Sequence, residues 1–177
     1  MKPLQAVALG LIVVGLRAAV GGYDLVADPL GWLLVMVGLA QLPEDLPRRG
    51  AALGAATLAL VVATALWIPA LRDTLAEADP ALGWAASLPQ LAALAVIALA
   101  LARAADRAGD NGPGGWLLTT GVLVGITAVL PVLVFGGGVD ALEAPAYAAA
   151  TLALLLLVGV LLAYAGRPWA ASASPQA

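Results

Sequence analysis

The sequence predicts an all-α protein, a polytopic transmembrane bundle of six helices in which five are long and the second is short. Three observations carry that prediction. Of 177 residues, 63% are hydrophobic and only 11% are charged, where about a quarter charged is usual for a soluble domain. The mean hydropathy is +1.01; a soluble domain of this size buries only roughly 70% of its unfolded surface, and the rest needs a polar coat that this chain lacks. Apolar runs such as residues 51–70 and 146–165 continue for the ~20 residues that a spanning helix needs. They lack the apolar–polar alternation of a membrane barrel strand. In hydrocarbon every backbone N–H and C=O must be paired within the fold, so such runs are helices.

Runs bounded by proline, glycine and charge place the helices at residues 4–20, 30–42, 51–70, 83–102, 115–135 and 146–165. The first opens behind Met1-Lys2. A secretory leader also begins with a positive residue before an apolar stretch, but this run resumes past Arg17 and Ala18-Ala19-Val20 is a poor cleavage site. It is read as a span. The second helix starts at Asp28-Pro29, a capping residue followed by a first-turn proline, and Pro43 ends it. From Pro29 to Leu42 a helix reaches only about 21 Å, so the segment is either a thin crossing or re-entrant.

Pro69, Pro89 and Pro131 are expected to kink or end the third, fourth and fifth helices. Gln41, Gln90, Thr64, Thr119, Thr120 and Thr127 are available to satisfy freed polar groups between helices. The helical domain thus covers residues 1–169. Residues 170–177 are small, polar and proline-containing and read as a disordered cytoplasmic tail.

Basic residues set orientation. With six crossings and the N-terminus inside, Lys2, Arg48, Arg49, Arg103, Arg107 and Arg167 are cytoplasmic, against Arg17 and Arg72 outside. A re-entrant second helix with the N-terminus outside exchanges Lys2 for Arg17 and scores the same. Six crossings is preferred because a short Met1-Lys2 tail normally stays inside, and both arrangements leave the C-terminus cytoplasmic. Tyr23, Trp32, Trp67, Trp84 and Tyr147 then fall at the outer interface, and Trp116, Tyr164 and Trp169 at the inner, as an aromatic belt.

The chemistry available is narrow. The chain has no cysteine and no histidine, which removes thiolate metal sites, imidazole acid–base catalysis and histidine haem ligation. No basic block suits nucleic acid, and Gly136-Gly137-Gly138 precedes Val139-Asp140 instead of the Lys-Ser/Thr of a phosphate loop. Ser87 has no histidine or lysine near it in sequence. A non-enzymatic protein with no metal and no cofactor is expected, whose partners are the lipid bilayer and another membrane protein.

Arg17 is the one charge embedded in an apolar run, and intramembrane charge invites a functional reading. It is expected to pair with Asp24 or Asp28, pinning helix 1 against helix 2. Alternatively Arg17, Asp24 and Asp28 line a polar vestibule that receives an ion or a charged solute. Asp73, Glu77 and Asp79 read as a solvated acidic loop without the spacing of a calcium site. Gly50-x-x-x-Gly54 and Gly121-x-x-x-Gly125 read as internal helix packing.

Pro29-Leu30-Gly31-Trp32-Leu33-Leu34 matches Pro113-Gly114-Gly115-Trp116-Leu117-Leu118 at five of six positions, as a three-plus-three inverted repeat would require. Asp79-Pro80-Ala81-Leu82-Gly83-Trp84 is a third variant. The simpler reading is that cap, proline and interfacial aromatic form this chain's way of starting a helix.

The string from Tyr23 to Leu39 resembles a segment of small uncharacterised bacterial multi-pass membrane proteins, Asp-Leu-Leu-Pro-Asp-x-x-Gly-Tyr/Trp followed by an apolar run ending in Gly-Leu. Asp24, Asp28, Gly31, Trp32, Gly38 and Leu39 fit; Ala27 stands where proline is usual, with Pro29 two positions later. The resemblance implies a multi-pass protein of a bacterial plasma membrane and marks Gly31, Trp32 and Gly38 as a structural motif. It implies no activity. The expected role is an accessory or assembly component, with a small-solute or ion transporter or channel subunit, its site near helices 1, 2 and 5, as the alternative.

Overall fold

The computed structural model describes residues 1–16, 19–20, 23–24 and 28–171. Within them lie seven α-helices: α1 Pro3–Gly15, α2 Asp28–Ala40, α3 Arg49–Leu66, α4 Pro69–Ala78, α5 Pro80–Arg107, α6 Asn111–Pro131 and α7 Glu143–Tyr164. Besides helices and the turns that join them, the described residues contain one two-residue antiparallel pair, β1 Ala19–Val20 and β2 Tyr23–Asp24. Four helical stretches are long and apolar enough to cross a membrane: Arg49–Leu66, Ala81–Arg107, Asn111–Val134 and Ala144–Tyr164.

The first helix departs from its predicted length. It ends at Gly15, with Leu16 already extended at φ −86° and ψ 127°, not at residue 20. Both helices of the first hairpin are therefore 13 residues, about 20 Å at 1.5 Å per residue. The cause is legible in Val20-Gly21-Gly22-Tyr23. Two strand-forming residues flank a Gly-Gly pair, the composition of a two-residue hairpin turn, and Val20 pairs with Tyr23. Cross-strand hydrogen bonds offer this backbone a second way to satisfy its polar groups.

The expected loop between the third and fourth helices contains a helix of its own. α3 stops at Leu66, and Pro69 stands in the first turn of α4, where its missing N–H costs nothing and its φ is preset. Asp79 then caps α5, its Oδ1 accepting from the Ala81 N–H at 2.8 Å, with Pro80 in the first turn. α5 runs 28 residues through Pro89. Pro131 ends α6, and a π turn at Val132–Gly136 follows.

Packing closes a ring. α1 meets α2, α2 meets α3, α3 meets α5, α5 meets α6, α6 meets α7 and α7 returns to α1, while α4 lies mainly on α5. Neighbours are antiparallel: Gly38 faces Pro3 and Val7 while Gly31 faces Gly10 and Val14, and Gly114 faces Asp106 while Gly121 faces Leu99. Gly15 lies against Leu154 and Gly166 against Lys2, and Trp169 reaches Asp110. One end of the ring consequently carries Lys2, Arg48, Arg49, Arg103, Arg107 and Arg167, and the other carries Arg72, Asp73, Glu77 and Asp79.

The ring is filled. Leu4, Leu11, Trp32, Leu39, Ile97, Leu101, Leu117, Leu157 and Leu161 all lie below 2% exposure in one continuous apolar cluster. α3 contributes Ala52, Ala56, Ala59 and Ala63, small residues on one face at the four-three-four spacing that helix packing favours. The large exposed side chains are apolar as well, Leu58, Val61, Leu118, Val122, Leu152 and Leu155 among them.

An inverted repeat would relate its halves by a twofold axis in the plane of the membrane, an operation that reverses the sense in which helices follow round a ring. Here chain order runs one way round the whole ring. The environments differ too, since Trp32 is fully buried and Trp116 is 54% exposed. The shared Gly-Trp string is a device for starting helices.

Candidate functional site

Asp28, Gly31, Trp32 and Gly38, four of the residues singled out by sequence, lie on α2. Gly31 and Gly38 are seven apart on α2, two helical turns, and both face α1. A Cβ on Gly31 would lie 2.6 Å from Val14 Cγ2 and 2.7 Å from the Gly10 carbonyl oxygen; one on Gly38 would lie 2.7 Å from Val7 Cγ2 and 2.8 Å from the Pro3 carbonyl oxygen. Val35, between them, sits against Gly10, whose own Cβ would stand 2.8 Å from Val35 Cγ2. Small residues let the two backbones approach, and in hydrocarbon such packing is a main source of helix association. This is the physical content of the motif.

Trp32 belongs to the same hairpin but not to an interfacial belt. Its side chain is fully buried, and it lies eight residues, about 12 Å along the helix, from Ala40. The position next to Gly31 and three before Val35 turns it inward with those residues. Its indole Nε1 is buried and has no hydrogen-bond partner, an arrangement that costs roughly 1–3 kcal/mol. The other belt positions fit better: Trp67, Trp116 and Tyr147 are exposed, and Trp84, Tyr164 and Trp169 are half-buried.

Asp28 stands in the first turn of α2, half-buried, where the helix macrodipole favours a carboxylate. Arg17 lies outside the described residues, as does the tail from residue 172, and of Asp24 only the backbone in β2 is described. Among the described residues no group of three acidic, cysteine or histidine side chains is placed to hold a metal.

The small-residue motifs divide. Gly121 packs on Leu99, whereas Gly50, Gly54 and Gly125 face open space, so the Gly50/Gly54 pair is outward-facing and not internal. Three of the threonine hydroxyls expected to bridge helices serve their own instead: Thr64 donates to Leu60 O at 2.7 Å, Thr120 to Trp116 O at 2.8 Å and Thr127 to Val124 O at 2.8 Å. Thr120 and Thr127 are the buried polar residues among those described.

A second cluster, missed by sequence reasoning, lies at the basic end. The Trp169 indole N–H donates to Asp110 Oδ2 at 3.1 Å, Arg167 Nε lies 3.4 Å from the same oxygen, and the Arg167 guanidinium sits 5.7 Å from the Tyr164 ring centroid. Asp110 precedes α6 and Trp169 follows α7, 59 residues apart. No local signal could have joined them. Nearby, Arg49 Nη2 donates to the Ala40 carbonyl at 2.8 Å, fastening the start of α3 to the end of α2, where a cation suits the dipole.

No family model, curated protein or solved structure matches the chain.

Proposed function

We propose that this is a six-crossing integral membrane protein of a bacterial plasma membrane, with its basic end and both termini cytoplasmic, acting as a non-enzymatic accessory or assembly component. The filled interior is the observation that carries the reading. Large apolar side chains fill the half of the ring toward the basic end, and the two buried polar residues among those described, Thr120 and Thr127, donate to carbonyls of their own helix. A conduit for ions or solutes would need polar groups facing a cavity near the midplane. Such a body has its apolar outer surface to offer to a partner within the bilayer.

The aromatic spacing supports the crossing. Tyr147 and Tyr164 stand 17 residues apart on α7, about 26 Å, close to the ~30 Å of bilayer hydrocarbon. Reporter fusions at Met1 and Ala177 test the orientation, both reading cytoplasmic. For function, mild-detergent purification from the native membrane is expected to bring down a stoichiometric membrane partner.

One observation favours the alternative of a transporter or channel subunit. α1 and α2 stop about 20 Å from the basic end, which puts Asp28 inside the hydrocarbon thickness. The site imagined between helices 1, 2 and 5 is less favoured, because the fifth predicted helix is α6 and lies across the filled ring from α2. Liposomes holding purified protein are expected to show no solute or ion flux above empty vesicles. Flux abolished by Asp28→Ala would reverse the ranking.

A further inference from the structure

The acidic outer loop expected from sequence is instead the amphipathic helix α4, and one of its faces is only partly covered by the rest of the chain. Leu71 and Leu75 lie four residues apart on one side, with Ile68 just before the helix, while Asp73 and Glu77 occupy the other and Thr74 stands at the boundary. Leu75 is half-buried, but Ile68 and Leu71 remain 55% and 41% exposed. Trp67, just before them, is 46% exposed. Arg72 lies between the two faces with Asp73 Oδ1 3.3 Å from its Nε.

We propose that α4 is an interfacial anchor, lying in the headgroup region of the outer leaflet with Ile68, Leu71 and Trp67 in the acyl boundary and Asp73 and Glu77 in water. The inference rests on the membrane reading above. Three observations identify lipid as the occupant. α4 connects two helices long and apolar enough to span, Arg49–Leu66 and Ala81–Arg107, so both of its ends are tied to the membrane surface. Large apolar side chains are exposed on both flanking helices as well, Leu58 and Val61 on α3 and Leu82 on α5. The depth also agrees: Trp67 lies 18 residues, about 27 Å, beyond Arg49, close to the ~30 Å of bilayer hydrocarbon.

The polar face carries acids, so attraction to anionic headgroups does not hold this helix down. Apolar contact does, assisted by covalent tethering at both ends. A ten-residue helix held in that plane ties the outer ends of α3 and α5 together at the membrane surface.

The chain contains no cysteine, so single substitutions can be spin-labelled without altering the rest. Ile68→Cys, Leu71→Cys, Asp73→Cys and Glu77→Cys variants in phosphatidylcholine vesicles would be probed with oxygen, which concentrates in the bilayer, and with a water-soluble nickel chelate. Val61→Cys on α3 serves as the lipid-facing reference. Labels at 68 and 71 are expected to collide several-fold more with oxygen than with the chelate, and labels at 73 and 77 to show the reverse. Equal chelate access at 71 and 73 with Val61→Cys still lipid-exposed would overturn the anchor and leave the membrane reading intact. Labels at 68 and 71 shielded from both reagents, and released by dilution into excess lipid, would replace lipid with a second copy of the chain. Chelate access at Val61→Cys would sink the membrane reading itself.

Discussion

Gly10 and Gly31 meet across α1 and α2 with no room for a methyl group between them. A Cβ on Gly10 would stand 2.5 Å from the Gly31 carbonyl oxygen, and one on Gly31 would stand 2.7 Å from that of Gly10. The obstructing atoms are backbone, which cannot swing aside as a side-chain tip can. The helices would have to separate, and the loss would spread to Val35, Val14 and Val7, which pack into the same seam.

Gly10→Ala and Gly31→Ala are therefore expected to destabilise the protein by about 1–3 kcal/mol each, the usual range for overpacking. Gly54→Ala, at a helical glycine facing open space, is expected to be neutral or to stabilise by up to about 1 kcal/mol through helix propensity. Unfolding in mixed micelles with increasing SDS measures all three. Equal behaviour of Gly31→Ala and Gly54→Ala would show that the seam is not tight.

Trp32 makes two predictions of different size. Replacement by alanine removes a fully buried indole and is expected to cost about 3–5 kcal/mol. Phenylalanine keeps much of the ring while removing an indole N–H that has no partner. The relief of a stranded donor, about 1–3 kcal/mol, offsets the lost volume, so Trp32→Phe is expected to lie within about 1 kcal/mol of the native protein. A phenylalanine variant as unstable as the alanine variant would mean that the N–H is satisfied.

Asp110 joins the α5–α6 turn to the segment after α7. Its hydrogen bond from the half-buried Trp169 is expected to show a coupling of about 1 kcal/mol in a double-mutant cycle with Asp110→Ala and Trp169→Phe. The Arg167 partner is 48% exposed, so its cycle with Asp110 is expected nearer zero, as for surface pairs. Limited proteolysis gives an independent reading, because Asp110→Ala should speed cleavage beyond Tyr164. A larger coupling to Arg167 than to Trp169 would reverse this assignment.

Much of the fold was legible without coordinates because hydrophobic length is a local property. The apolar runs behind α3, α5, α6 and α7 were found within a few residues of their ends, and the Asp-Pro helix start recurs where Asp79 caps α5. The errors came where two local codes compete. Between Gly15 and Tyr23, apolarity argued for more helix while Val-Gly-Gly-Tyr argued for a hairpin. At Pro69 a proline read as an ending served as a beginning.

By itself the sequence determined the all-α class and the positions where helices could start, since each follows from the composition or spacing of neighbouring residues. Only the tertiary structure decided that the helices close in chain order, that Gly31 and Gly38 form a seam while Gly50 and Gly54 face outward, that Trp32 is core and Trp116 surface, and that Asp110 meets Trp169. Hydropathy is nearly uniform around these helices, so no amphipathic stripe distinguishes lipid from neighbour, and shape complementarity between distant segments makes the choice.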